Sequence, residues 1–199
     1  MVRPPCFLGD DSALAAALKA DKSGAMEVFY HRYARYVQRI LASIVNVDMD
    51  LAELLQEVFV QAFSSVGSLR DESRLKSWLT GIAVNTARKH INKNARWFLF
   101  PKDYPDVEWP VTDVSYEDRE AVRYTYAILE RMPVNERVAF SLRFIEEMNL
   151  EETAEACQVS LATIKRRLAK ARKRFLTLAV NCPILHEWIE RGSRWEVKL

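Results

Sequence analysis

The sequence predicts an all-α protein, and three features of its 199 residues support that prediction. Apolar side chains recur at steps of three and four residues over long stretches, which is the period of a helix with one buried face. There are only five glycines, and runs of Val, Ile and Thr between turn residues are hard to find, whereas a sandwich or barrel needs many tight turns. Hydrophobic residues make up 49% and charged residues 28%, so most of the chain is expected to fold.

Residues 10–98 are predicted to form a first domain, a bundle of helices. It contains three apolar stripes, and Ser73 is expected to be the N-cap of the helix that carries the third. Turned inward, the three stripes would supply a hydrophobic core. In chain order they are Met26, Phe29, Tyr30, Tyr33, Val37, Ile40, Leu41 and Ile44; then Leu51, Leu54, Leu55, Val58, Phe59, Ala62 and Phe63; then Leu75, Trp78, Leu79, Ile82, Ala83, Thr86 and Ile91.

Residues 99–115 are predicted to be an acidic, proline-containing linker, since Pro101, Pro105 and Pro110 would interrupt any helix. Helical periodicity resumes in a second predicted domain, residues 116–179. Its helices are expected over about 116–131, 134–146, 150–157 and 161–178. Residues 180–199 are interpreted as a C-terminal extension that either packs back on this domain or docks a regulator.

The net charge of +2 conceals a strong segregation of charge along the chain. Residues 160–175 contain seven basic residues and no acid, whereas residues 101–120 contain seven acids and only two basic residues. Such segregation indicates an anionic partner for the basic segment.

The basic segment belongs to a helix–short turn–helix pattern over residues 150–178. Ala154 is small enough for two helices to cross closely, and Val159 and Ile164 are placed to fill the angle between them. Ser160 is the expected cap of the second helix. That helix would enter a DNA major groove with its basic side chains on base edges or phosphates. The alternative is an ordinary helical hairpin with a solvated basic face.

The second helix resembles region 4 of sigma-70 family factors, through the run Thr163-Ile-Lys-Arg-Arg-Leu-Ala-Lys-Ala-Arg172 and the small Ala154 before it. The segment Arg131-Met-Pro-Val-Asn-Glu-Arg137 resembles the start of the same region. Regulators of the LuxR type share much of this pattern, so the N-terminal half decides between the two families.

That half resembles region 2 of the same family. Asp50-Leu-Ala-Glu-Leu-Leu-Gln-Glu57 is similar to the helix that clamps the coiled coil of the largest polymerase subunit. Ser77-Trp-Leu-Thr-Gly-Ile-Ala-Val-Asn85 is similar to the helix that faces the −10 element. Because the chain has no region 3 between the two matches, it resembles the extracytoplasmic-function (ECF) group, whose members recruit core RNA polymerase to promoter DNA.

The resemblance implies three sets of contact residues. For each of the two region 2 sets the alternative is a solvated polar helix surface, and Asn85 in particular has the donor and acceptor needed to read a flipped base. The sets are Asp50, Glu53, Gln56 and Glu57 for polymerase; Ser77, Asn85, Arg88 and Lys89 for the −10 element; and Thr163, Lys165, Arg166, Ala169, Lys170 and Lys173 for the −35 element.

Two positions depart from the family pattern, and one of them is Gly81, which stands where many members carry an arginine. Gln158 stands at a turn position that other members often fill with Gly or Asp, where a positive φ is common. We expect either a slightly strained turn or a turn that is built differently.

Other functions fit less well. His31, His90 and His186 are scattered and no glycine-rich phosphate loop is present, so an enzyme is not expected, nor is a cofactor or metal. A stand-alone helix-turn-helix regulator would leave the region 2 residues without a role. We expect a cytoplasmic protein with no membrane insertion, since no apolar run is long enough for a bilayer. The resemblance implies core RNA polymerase, promoter DNA and an anti-sigma factor as partners.

Overall fold

The computed structural model describes residues 9–45, 51–94, 116–180 and 185. None of these residues lies in a β-strand, which agrees with the predicted all-α class. The α-helices within the described ranges are α1 Asp11–Lys19, α2 Ala25–Ile44, α3 Leu51–Ser65, α4 Leu75–Asn94, α5 Tyr116–Glu130, α6 Val134–Phe140, α7 Leu150–Ala156 and α8 Leu161–Ala179.

The chain divides into two compact units. The first holds the described residues up to Lys89 together with Glu155–Gln158, and the second holds the described residues between His90 and Ala154 and those from Val159 onward. The predicted linker, residues 99–115, lies outside the described part of the chain. So does most of the predicted C-terminal extension, although Leu185 is fully buried in the core of the second unit.

The core of the first unit is built around Phe29 of α2, which is 1% exposed. Its ring centroid lies 5.3 Å from that of Tyr33, 5.5 Å from Phe59 and 5.9 Å from Phe63, the last two in edge-on geometry. Edge-to-face packing of this kind stabilises aromatic clusters beyond the gain from burial alone. The cluster therefore holds α2 against α3 in a defined register.

Two residues of the predicted first stripe do not belong to the core. Met26 is 46% exposed and Tyr30 is 40% exposed. At about 100° per residue both lie within the apolar side of α2, since Ile44, five turns after Met26, is fully buried. The Tyr30 ring packs against Phe59 at 4.8 Å between centroids but stays partly in solvent. A position on the stripe therefore did not decide burial at these two residues, which lie in the first two turns of the helix.

The N-cap prediction for the third stripe was also wrong. Ser73 lies inside a short 3₁₀ turn, Glu72–Arg74, and Asp71 is the capping residue. The Asp71 carboxylate accepts hydrogen bonds from the hydroxyl of Ser73 at 2.6 Å and from its backbone N–H at 3.0 Å. These hydrogen bonds hold the pKa of Asp71 below its usual value because they stabilise the ionised carboxylate. The loop before α4 is thus organised by an acid two residues earlier than expected.

The second unit has its core where α6 packs on α8. Phe140 and Phe175 are stacked with ring centroids 4.8 Å apart, and Arg174 Nε donates to Glu136 Oε2 at 3.0 Å beside them. The predicted helix over 134–146 is an α-helix only to Phe140. It continues as one wider π-type turn, Ser141–Ile145.

The helices α7 and α8 begin with side-chain caps. Asn149 and Glu152 exchange hydrogen bonds, each side-chain oxygen accepting the other residue's backbone N–H at 2.8 Å, which is a capping box. Ser160 Oγ accepts the N–H of Thr163 at 3.3 Å, so the predicted cap of α8 is confirmed. Both helix starts are thereby defined by local sequence.

The turn between α7 and α8 contains Gln158 in the left-handed region, at φ 54°. The positive-φ turn is therefore kept although a residue with a Cβ occupies it. A non-glycine residue in this region is less favourable than glycine because Cβ approaches the following carbonyl oxygen.

We predict that Gln158→Gly raises the free energy of unfolding by about 0.5–1 kcal/mol, since relief of the backbone strain outweighs the greater flexibility of glycine in the unfolded chain. Urea denaturation followed by far-UV circular dichroism measures the change. Gln61→Gly within α3 is the control and should lower stability by roughly 1 kcal/mol. A loss of stability in Gln158→Gly would show that the Gln158 side chain stabilises the turn.

Candidate nucleic-acid and protein interfaces

The helix α8 has two opposite faces of different chemistry. Ile164, Leu168 and Phe175 are at most 2% exposed and lie on one side. At about 100° per residue, the opposite side carries Arg166, Ala169, Lys170 and Lys173, all of which are exposed. Lys165 is exposed at the edge of this surface. Because the apolar face of α8 is buried, the opposite basic face points into solvent.

Thr163 differs from the other residues predicted to contact the −35 element. It is only partly exposed, and its hydroxyl lies 3.0 Å from that of Ser160, in the helix cap. The same side chain that would reach DNA therefore also supports the start of α8.

The basic residues of α8 do not all share this surface. Arg174 is bound to Glu136 of α6 by the ion pair described above. Arg167 and Arg172 are partly buried, on the flanks of the apolar side. The run of seven basic residues therefore separates into an exposed set and a set that packs within the unit.

The residues predicted to contact the −10 element lie along one side of α4. Ser77, Asn85, Arg88 and Lys89 fall within roughly a third of the helix circumference, while Leu75, at 0% exposure, faces the core. Lys89 is exposed and the other three are partly exposed. Arg88 Nη1 lies 3.5 Å from Asn85 Oδ1, at the limit of a hydrogen bond, so the cation is placed to orient the amide.

The residues predicted to contact polymerase lie on the solvent side of α3. Glu53, Gln56 and Glu57 are exposed. On the other side of the helix Leu54 and Val58 are at most 2% exposed, so burial sets which residues face outward. Asp50, the fourth residue of this predicted set, lies outside the described residues.

One residue of this surface was not predicted from the sequence. Val60, at 58% exposure, lies one turn after Glu57 and Gln56 on the same side of α3. Its absence from the apolar stripe of α3 was the available signal, since a large apolar residue outside the stripe must face solvent. We call Glu53, Gln56, Glu57 and Val60 the α3 surface.

No helix within the described part of the chain is long and apolar enough to cross a membrane. Across the same residues, no group of His, Cys, Asp and Glu side chains is arranged to hold a metal ion.

Two family models match the chain, in the order that the sequence analysis predicts. "Sigma-70 region 2" matches residues 29–97, and "Sigma-70, region 4" matches residues 123–175. Together the matches cover more than half of the 199 residues and include α3, α4 and most of α8.

Curated relatives from several bacteria are similar over most of their length. The chain is 27% identical to an ECF RNA polymerase sigma-E factor of Haemophilus influenzae, over 82% of this chain and 92% of the relative. It is 29% identical to the ECF sigma factor SigM of Bacillus subtilis, over 77% of this chain and 94% of the relative. It is 23% identical to the sigma-H factor of Pseudomonas aeruginosa, over 82% of this chain and 90% of the relative.

Two solved structures share the fold. CnrH, in complex with the cytosolic domain of CnrY, superposes with a TM-score of 0.62 at 20% identity, over 86% of this chain and 98% of CnrH. The sigma factor RpoE of Bartonella quintana, in complex with the anti-sigma factor NepR, superposes with a TM-score of 0.60 at 19% identity. The match covers 79% of this chain and 97% of RpoE. The paired region 2 and region 4 matches, with the ECF relatives, show that this chain belongs to the sigma-70 family as an ECF RNA polymerase sigma factor, a non-enzymatic protein that directs transcription initiation.

Proposed function

We propose that this sigma factor recognises two promoter elements, the −35 element through α8 and the −10 element through α4, while the α3 surface binds core RNA polymerase. The observation that carries the proposal is the exposed face of α8, on which Arg166, Lys170 and Lys173 lie opposite the buried core residues. Arginine and lysine at this position of a helix-turn-helix suit guanine edges and phosphates in a major groove.

The proposed −10 contact rests on the chemistry of α4. Asn85 offers both a donor and an acceptor to the edge of an unpaired base, and the neighbouring Arg88 is close enough to orient it. Lys89 is exposed on the same side and carries the charge for a phosphate contact. Ser77 lies in the first turn of α4, on the same side of the helix, and its Oγ donates to the carbonyl oxygen of Arg74 at 3.1 Å.

The proposed polymerase contact rests on the mixed character of the α3 surface. Glu57 Oε1 accepts a hydrogen bond from Gln61 Nε2 at 2.8 Å, so its carboxylate is held in position along the helix. Protein interfaces have an apolar centre and a polar rim. The α3 surface, with the exposed Val60 among polar side chains, has this composition. Asp50 belongs to this proposed contact by family position.

The proposal includes the domain limits and partners that follow from the family. Residues 10–98 would act as region 2, residues 99–115 as the linker, residues 116–179 as region 4 and residues 180–199 as an extension. Both solved neighbours described above were bound by a partner, in one case named an anti-sigma factor, which supports regulation of this chain by such a factor. Its site of action would be the cytoplasm, with the polymerase.

In vitro transcription from a genomic DNA library, with bacterial core polymerase, tests the recognition of two elements. Adding the protein should create transcript starts that share two upstream motifs about 34–36 Å or more apart, because two separate helices read them. Core polymerase alone is the control. Starts that share only one motif would contradict the proposed division of recognition between α4 and α8.

Binding to a duplex that carries the upstream motif should weaken in the double variant Arg166→Gln/Lys170→Gln. Each lost phosphate contact should reduce the magnitude of the log–log salt slope by about 0.9, so the pair should reduce it by about 1.8. Fluorescence anisotropy over a series of KCl concentrations measures the slope. Lys22→Gln/Arg131→Gln removes the same charge at exposed positions outside α8 and should leave the slope unchanged.

Association with core polymerase should weaken at least tenfold in Glu57→Lys, since truncated or reversed charges at buried interface positions typically cost about 2 kcal/mol or more. Competition for core polymerase against the labelled wild-type protein measures the loss. Glu27→Lys makes the same reversal on the exposed side of α2 and is the matched control. Equal affinities of the two variants would exclude Glu57 from the polymerase contact.

A further inference from the structure

The helix α1 has no role in the function proposed so far, and it lies before the residues that the region 2 model matches, 29–97. Within the first unit it packs on α2 and on the two 3₁₀ turns that lie between α3 and α4, Val66–Ser68 and Glu72–Arg74. These turns belong to one loop, residues 66–74, which runs directly into the first turn of α4. The helix α1 is therefore connected, through this loop, to the start of the helix that carries the proposed −10 contact.

An ion pair joins the end of α1 to the 66–74 loop. Lys19 Nζ donates to Glu72 Oε1 at 3.1 Å, and both side chains are partly exposed. Lys19 lies in the last turn of α1, where the helix dipole favours a cation. Leu69, in the middle of the loop, is buried. The loop is thus held by an apolar anchor and by one charged contact with α1.

The beginning of α1 is held in turn by α2. Arg32 Nη1 donates to Asp11 Oδ1 at 3.2 Å, and Arg32 Nη2 donates to the carbonyl oxygen of Gly9 at 3.0 Å. Between the two ends of the helix, Leu14 and Leu18 are at most 5% exposed. Because α1 is buried along its middle and bound at its start, it gives Lys19 a fixed position from which to hold the loop.

Hydrogen bonds inside the loop pass this position on to α4. The Asp71 carboxylate binds both the hydroxyl and the backbone N–H of Ser73, and the carbonyl oxygen of Arg74 accepts a hydrogen bond from Ser77 Oγ. A segment that is bonded within itself in this way moves as one piece. The place at which Glu72 is held therefore sets where the first turn of α4 lies.

We propose that Lys19 is a positioning residue for −10 recognition. Its ion pair with Glu72 holds the 66–74 loop, and through the loop it holds the first turn of α4, from which Ser77 contacts the DNA. This inference rests on the proposed −10 contact of α4. Binding groups must be held within about 0.5 Å of the productive geometry by the residues that support them, and Lys19 supplies such support without touching the DNA.

The loss of this support should change sequence preference more than overall affinity. A phosphate contact such as that proposed for Lys89 depends mainly on charge, which acts over a long range. Hydrogen bonds to the edge of a base depend steeply on distance and angle. A shift at the start of α4 therefore reduces discrimination between bases before it reduces non-specific binding.

The test uses the full-length protein bound to core polymerase and two promoter fragments. Both carry the two proposed elements with the −10 bases unpaired, and in the second fragment those bases are replaced. Fluorescence anisotropy gives the ratio of the two affinities, which is the preference for the −10 sequence. Lys19→Glu should lower this ratio about two- to fivefold, the effect expected for a partly exposed ion pair. Its affinity for core polymerase should stay at the wild-type value.

A charge exchange separates the ion pair from the single charges. Glu72→Lys should lower the ratio to a similar extent, whereas Lys19→Glu/Glu72→Lys again places opposite charges together and should have a higher ratio than either single variant. Lys22→Glu is the matched control, since it reverses the charge of an exposed lysine three residues after Lys19 and should keep the wild-type ratio. Urea denaturation followed by far-UV circular dichroism checks that each variant is folded.

Two results would overturn the inference. The first is a ratio for Lys19→Glu equal to that of Lys22→Glu; if the affinities for both fragments fell together, Lys19 would only stabilise the unit. The second is a charge-exchange variant whose ratio is no higher than that of either single variant, which would assign the effect to the separate charges. Failure of the −10 contact itself is distinct, because the wild-type protein would then bind the two fragments equally.

Discussion

The burial of the apolar side of α8 is the interaction on which the DNA-binding face of this protein depends. Ile164, Leu168 and Phe175 are almost completely removed from solvent, and Phe175 stacks on Phe140 of α6. Because these positions and the buried Ala171 recur every three or four residues, their burial fixes the rotation of α8 about its own axis. A rotation by one residue, about 100°, would bring charged side chains into the core. Packing thus decides that Arg166 and Lys170 face solvent.

The same constraint operates in the first unit, with a different outcome. Phe29 meets Phe59 and Phe63 edge-on, and this aromatic packing sets how α3 is turned. As a result, α3 presents glutamates and a valine to solvent, whereas α8 presents lysines and arginines. Two helices with similar packing therefore present surfaces of different chemistry, an acidic and partly apolar one on α3 and a basic one on α8. The core residues decide which side of each helix faces solvent, and the exposed residues decide the chemistry of that side.

Acidic and basic side chains of this sigma factor lie on different surfaces, which the net charge of +2 does not reveal. On α8 the exposed cations are separated from Arg174, which is tied to Glu136. On α2 the cation of Arg32 is tied to Asp11, whereas the neighbouring Arg35 stays in solvent. In each helix an acid from a neighbouring helix neutralises one basic residue. The exposed cations that remain give these surfaces a positive potential.

The sequence by itself determined the helical class, the helix-turn-helix with its Ser160 cap, the positive-φ turn position of Gln158 and the membership in the sigma-70 family. These features depend on the period of apolar residues and on hydrogen bonds between residues three apart, so a short segment contains them. Only the tertiary structure decided that Met26 and Tyr30 are exposed, that Asp71 is the cap before α4, and that Tyr36 meets Lys76 forty residues along the chain. Such contacts depend on how α2, α3 and α4 pack, because residues distant in sequence meet only when the helices that carry them are placed against one another.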